Sequence, residues 1–149
     1  MDMKGLLKKI ELFRGLTDSE LSQIASICQE RSLSSGDLFA VEGEPGHEMC
    51  IIKRGLMEIE LKQGQNLPPK AIIHLGTGQL IGEMSLVDHA NRSATARAIQ
   101  SPTSIVVINH QDFHDLCEKN AHIGYIVMRN MASDLSFKLR HSSLEFRGR

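Results

Sequence analysis

Apolar positions recur along the chain with two different periods, and the change of period divides it into three stretches. Near the start, Leu6, Leu7 and Ile10 suggest a short helix, and Leu21, Ile24, Ala25 and Cys28 return at helical spacing in a second. The second opens on Thr17-Asp18-Ser19-Glu20, a capping box in which hydroxyl and carboxylate satisfy each other's orphan amides, and the pattern carries it to about Gln29. From Arg31 to Asn109 the runs become short and alternating, divided by turn signals such as Gly43-Glu44-Pro45-Gly46 and Arg54-Gly55. Strands are predicted at 38–41, 49–53, 56–61, 71–75, 93–99 and 104–108, and six or more short strands imply a sandwich or barrel. Within 56–61, Met57, Ile59 and Leu61 alternate with Glu58 and Glu60, so one face points inward.

After Ile108 the helical period returns. Asn109 is the expected N-cap of a helix from His110 to about Lys119, and a longer helix is predicted from His122 to about Phe146, with a candidate hinge near Asn120. On the long helix Met128, Ala132, Leu135, Leu139 and Phe146 follow steps of four and three, interrupted at Ser142. Such coiled-coil spacing suits a dimer helix, a lid over a ligand, or packing against the protein's own strands, and the seam is too short to choose among them.

Length and composition narrow the picture. The 149 residues are expected to form one domain, with helices over 1–30, strands over 31–109 and helices over 110–149. No run of eighteen apolar residues is present and Met1-Asp2-Met3-Lys4-Gly5 lacks an apolar signal core, so a soluble, cytoplasmic protein is expected. Three scattered cysteines, Cys28, Cys50 and Cys117, offer neither a disulfide framework nor a cluster site. A net charge of −1 gives no global field for nucleic acid or an anionic membrane, and Lys138, Arg140, Arg147 and Arg149 read as a solvated helix face. No helix-turn-helix pattern follows the long helix, so direct DNA binding is not expected, and no Walker or kinase loop is seen.

The stretch richest in chemistry is Gly82-Glu83-Met84-Ser85-Leu86, followed by Asn91-Arg92-Ser93-Ala94-Thr95-Ala96-Arg97-Ala98. Gly82 admits a ligand close to the backbone, and the Met84 and Ser85 amides would open a short helix toward an anion. Arg92 supplies a guanidinium that fits two phosphate oxygens in one plane, while Glu83 can accept hydrogen bonds from a ribose hydroxyl. Together they suit the two ends of a sugar phosphate.

These residues resemble the phosphate-binding cassette of cyclic-nucleotide-binding domains, G-E-x-[AGS]-L, a loop, then R-[SAT]-A and a strand. The runs 36–43 and 51–59 are likewise similar to the first half of that family's β-roll, so the resemblance covers nearly the whole chain. It implies an α+β fold: a mainly antiparallel, jelly-roll-like β-roll of about eight strands carrying the cassette at 80–98, with N-terminal helices and C-terminal hinge and lid or dimer helices. It also implies that Glu83 binds the ribose 2′-hydroxyl, Arg92 the exocyclic phosphate oxygens and the Gly82–Ser85 backbone the cyclic phosphate, with Ser93 touching the phosphate. Leu86 would be the leucine that relays ligand binding to the hinge. Departures are Asn91, where many members have Pro, and the glycine-free loop Val87-Asp88-His89-Ala90. Ile59 and Ile72 are the candidates for a base pocket, Phe137, Lys138 or Arg140 for a lid contact, and Gly36, Gly43, Gly46 and Gly55 are given turn roles only.

The expected ligand is cAMP rather than cGMP, because the Thr that usually marks cGMP binding in the family is Ser93 here, and no further cofactor is expected. The expected partner is another protein or a second copy, engaged through the C-terminal helix. Two other readings fit the sequence less well. A β-roll enzyme of the cupin type needs closely spaced histidines with a carboxylate, whereas His47, His74 and His89 stand alone; His110, His114 and Cys117 have ligand-like spacing on a helix, where surface histidines are commoner than a metal site. A ligand-blind interaction module would not require both Glu83 and Arg92.

Overall fold

The structure, a computed structural model, describes residues 2–147 and side chains through residue 142. The side chains of Phe146, Arg147 and Arg149, named above, lie outside the described residues. The chain divides into two compact units, one of residues 26–113 and one of the residues before 26 with those after 113.

The first unit is a β-roll of eight strands: β1 (Cys28–Leu33), β2 (Leu38–Ala40), β3 (Glu48–Arg54), β4 (Met57–Leu61), β5 (Lys70–Leu75), β6 (Leu80–Ile81), β7 (Thr95–Ala98) and β8 (Thr103–Asn109). They form two four-stranded antiparallel sheets, ordered β1-β8-β3-β6 and β2-β7-β4-β5. Alternation sends Leu33, Cys50, Ile52, Ile105 and Val107 from one sheet, and Ala40, Met57, Ala96 and Ala98 from the other, into a common core. β3 and β8 are buried on both faces, since Met49, Ile51, Val106 and Ile108 are also inaccessible. Each such isoleucine contributes about 1.5–3 kcal/mol relative to an exposed one.

Two strands escaped the sequence pattern. The helix expected to reach Gln29 ends at Ser26, and Cys28, counted on its buried face, instead starts β1 and pairs with Ile108. β1 is an edge strand with most residues exposed, so it lacks an apolar alternation, and pairing with β8 overrides the helical spacing. The ion pairs Lys53–Glu30 at 2.6 Å and Arg31–Glu48 at 3.0 Å join it to β3 across β8. β6 has only two residues, too few for any period to show. The connection from β4 to β5, residues 62–69, is exposed throughout.

In the second unit, α1 (Met3–Lys8), a 3-10 turn (Glu11–Phe13) and α2 (Asp18–Ser26) precede the roll. The predicted capping box is formed: the Thr17 amide donates to Glu20 Oε1 at 3.0 Å and the Glu20 amide to Thr17 Oγ1 at 3.2 Å. After the roll come α4 (His110–Lys119) and α5 (Ala121–Arg147), with α3 (Ser85–Asp88) lying in the cassette. Asn109 Oδ1 accepts from the Asp112 amide at 3.0 Å, and Asn120 Oδ1 from the His122 amide at 3.2 Å, so one asparagine opens each helix. α5 buries Ile123, Ile126, Val127 and Met131, and Asn130 Nδ2 donates to the carbonyls of Leu12 and Arg14 at 2.9 and 2.8 Å. The heptad-like seam lies on another face: Met128 and Leu135 are half-buried, while Ala132 and Leu139 are exposed.

Glu20 also meets His122 Nδ1 at 2.6 Å. The Thr17 amide holds the Glu20 carboxyl below its ordinary value of 4.5, burial opposes this, and His122 adds to the lowering. The unfolded chain therefore takes up the proton first on acidification. The stabilisation is full above about pH 4.5 and is lost as pH falls through the folded value. Glu20→Gln is expected to flatten the acid limb of melting temperature against pH, and Thr17→Ala to cost about 1 kcal/mol at neutral pH; thermal melts across that range check both.

Candidate functional site

The cassette sits where β6 leaves the sheet. Gly82 turns the chain with φ of 86°, and Glu83 and Met84 lead into the single turn of α3. Amides that open a helical turn have no intrahelical acceptor, and here they border a cavity of about 300 Å³. Gly82, Glu83, Met84, Ser85, Arg92 and Ser93 all line that cavity, so the structure brings together the polar residues singled out in the sequence. Its apolar wall comes from Ala40, Ile59, Leu75, Leu80 and Ala96. Ile59 thus lies where alternation on β4 put it.

Ile72 does not line the cavity and is 52% exposed. Pairing between β4 and β5 is irregular at Ile59/Glu60: Ile59 faces Ile73 and Glu60 faces Ala71, which leaves Ile72 without an opposite residue. Leu86, the second residue of α3, is fully buried and does not line the cavity. Phe137, Lys138 and Arg140 are exposed on α5 and are not among the lining residues. The glycine-free loop after α3 closes through His89 at φ of 53°, a left-handed conformation that histidine adopts more readily than most residues, and Asp88 Oδ1 accepts from the Ala90 amide at 2.9 Å.

Arg92 is held from several sides. Its amide donates to the Glu44 carbonyl and its carbonyl accepts from the Gly43 amide, both at 2.8 Å, which fixes its backbone to the turn before β3. Nη2 donates to the Glu48 carbonyl at 2.7 Å and the guanidinium carbon lies 5.2 Å from the Phe39 ring centroid. Nη1 is buried with no hydrogen-bond partner among the described residues. Burial lowers the Arg92 pKa, opposed by Cys50 and Glu48, yet a guanidinium remains charged at neutral pH. A buried cationic donor left unsatisfied is costly, and an anion in the cavity would relieve it.

One contact behind the site was hidden in the sequence. His110, the first residue of α4, is buried with Nε2 at 3.2 Å from the Gly82 carbonyl and 3.4 Å from Ser85 Oγ, while Ser85 Oγ donates to the same carbonyl at 2.9 Å. Nε2 must carry a proton to donate to a carbonyl. No motif marks this contact, because it joins positions 28 residues apart. Among the described residues no group of three or more His, Cys, Asp or Glu side chains is arranged to hold a metal ion. Burial pushes the Cys28 and Cys50 thiols up to about 12 and raises Cys117, so none of the three is a ready nucleophile. Nor is any described helix long and apolar enough to cross a membrane.

Comparison with known proteins bears on this geometry. The sequence model of the cyclic nucleotide-binding domain matches residues 30–120. The cyclic AMP receptor protein of Thermus thermophilus is 28% identical over 93% of the chain, and a cGMP-dependent protein kinase of Drosophila melanogaster is 28% identical over 77%. The chain spans 62% of the receptor and 12% of the kinase, less than two thirds of either. The N-terminal domain of a Streptomyces coelicolor transcriptional regulator superposes with a TM-score of 0.81, covering 92% of this chain and 94% of that one at 23% identity, which establishes likeness of fold. With eight strands in two sheets, the cassette turn at Gly82 and a family match over residues 30–120, the chain belongs to the cyclic nucleotide-binding domain family.

Proposed function

We propose that this protein is a cyclic-nucleotide sensor that binds and does not turn over its ligand, with cAMP preferred to cGMP and no further cofactor. The observation that carries the reading is the buried, unpartnered Nη1 of Arg92 on the wall of a cavity that also presents Glu83. In this reading Arg92 pairs with the exocyclic phosphate oxygens, the Gly82–Ser85 backbone and Ser93 hold the cyclic phosphate, and Glu83 accepts from the ribose 2′-hydroxyl. Ile59 and its apolar neighbours take the base. The cavity volume lies at the small end of the range for small-molecule sites, as a mononucleotide requires. The two relatives named above carry different cyclic nucleotides in their names, so the preference for cAMP rests on Ser93.

Output passes from Leu86, buried at the cassette, to the C-terminal helix and from there to a protein partner or a second copy. The net charge of −1 offers nucleic acid no general attraction. The test is calorimetric titration of folded, nucleotide-stripped protein with cAMP, cGMP and 5′-AMP. Binding is expected for the cyclic forms, tightest for cAMP and weakest for the open phosphate, with altered hydrogen exchange over residues 120–147 at saturation. Exchange that ligand leaves unchanged would remove the helix from the output. No heat with any nucleotide would make the roll a ligand-blind interaction module.

A further inference from the structure

We propose that Gly46, in the turn before β3, is a positioning residue for Arg92: the missing side chain at 46 is the slot in which the guanidinium lies. The inference rests on the reading of Arg92 as the phosphate ligand. Gly46 is not among the residues with positive φ, so a left-handed conformation does not account for glycine there. Space accounts for it. A Cβ placed on Gly46 would meet Nε of Arg92 at an impossible approach, Cζ at 2.5 Å and Cδ at 2.7 Å, and these three nearest atoms all belong to that one side chain.

The surroundings make the slot specific to a guanidinium. The same turn holds the Arg92 backbone through Gly43 and Glu44, and the first carbonyl of β3, that of Glu48, accepts from Nη2. A Cβ on Gly82 would lie 2.5 Å from Nη1, so the unsatisfied end of the guanidinium lies against the cassette glycine. Two glycines far apart in sequence thus leave room for one planar cation, and the planar fork then stands ready for two oxygens of a cyclic phosphodiester. A methyl group at 46 pushes the guanidinium from this slot, breaks the bond to Glu48 and turns Nη1 away from the cavity.

A double-mutant cycle tests the proposal. Parent, Gly46→Ala, Arg92→Ala and the double variant are titrated with cAMP and melted without ligand. Gly46→Ala is expected to weaken cAMP binding by about tenfold in the parent, through a misplaced charge-assisted contact, and by no further factor once Arg92 is alanine. Its melting temperature should fall in the parent background and stay level or rise in the Arg92→Ala background, where the methyl has room and Gly→Ala restricts the unfolded chain. Parent-like affinity of Gly46→Ala, or equal losses in both backgrounds, overturns the slot. If the parent binds no cyclic nucleotide, the functional reading falls, and the melts alone decide the slot: a loss confined to the Arg92 background upholds it and equal losses overturn it.

Discussion

Arg92→Ala is expected to lower the affinity for a cyclic nucleotide by one to two orders of magnitude while leaving the ligand-free fold intact. A charge-assisted, bidentate contact is worth about 1.5–3 kcal/mol, which corresponds to a factor of about 10–150 in dissociation constant. The second half of the prediction follows from the unpaired Nη1. Among the described residues this side chain makes one hydrogen bond, to the Glu48 carbonyl, and leaves a buried donor unsatisfied, so its removal sheds a desolvation cost along with the bond. Affinity should therefore collapse with little change in melting temperature. Calorimetry beside thermal melts separates the outcomes, and unchanged affinity would show that the phosphate sits elsewhere.

Gly82→Ala should act on fold and ligand together, and in this it differs from the change at Gly46. At φ of 86° an alanine pays the left-handed penalty of about 1–2 kcal/mol. Its Cβ would also stand 2.9 Å from the Glu48 carbonyl oxygen, a backbone atom that cannot swing aside, and 2.5 Å from Arg92 Nη1. The backbone term alone should lower the melting temperature by about 3 °C or more in a chain of this size. The turn that carries the Gly82 carbonyl toward Ser85 and His110 is then displaced, and cyclic-nucleotide binding should be lost at concentrations that saturate the parent. Parent-like binding by Gly82→Ala would contradict the assignment of this turn to the ligand.

The sequence was most legible where local chemistry and tertiary role coincide. α4 announces itself through Asn109, whose side chain makes the cap that its position suggests, and Thr17 with Glu20 does the same for α2, whereas Asn120, read as a candidate hinge, also caps α5. The cassette was readable because Gly82, Glu83, Arg92 and Ser93 are close in sequence and belong to one short motif. What stayed hidden depends on distant pairing. β1 gains its extended form from β8 rather than from its own residues, and β6 is recognised as a strand only by the two pairs it makes with β3. Ile72 was named beside Ile59 for the base pocket, and the irregular pairing at Ile59/Glu60, which no local pattern announces, leaves it exposed. The slot at Gly46 was invisible for the opposite reason: a turn glycine looks the same whether conformation or space requires it.

The exposed connection between β4 and β5 has a practical consequence. Residues 62–69 carry no buried side chain, so foreign sequence joined there disturbs no packing. The hairpin that would bear such an insert contributes Ile59 from one strand and Leu75 from the other to the cavity wall. A fluorescent reporter spliced into this connection would therefore hang from the wall proposed to take the base, turning the roll into an optical gauge of its own occupancy.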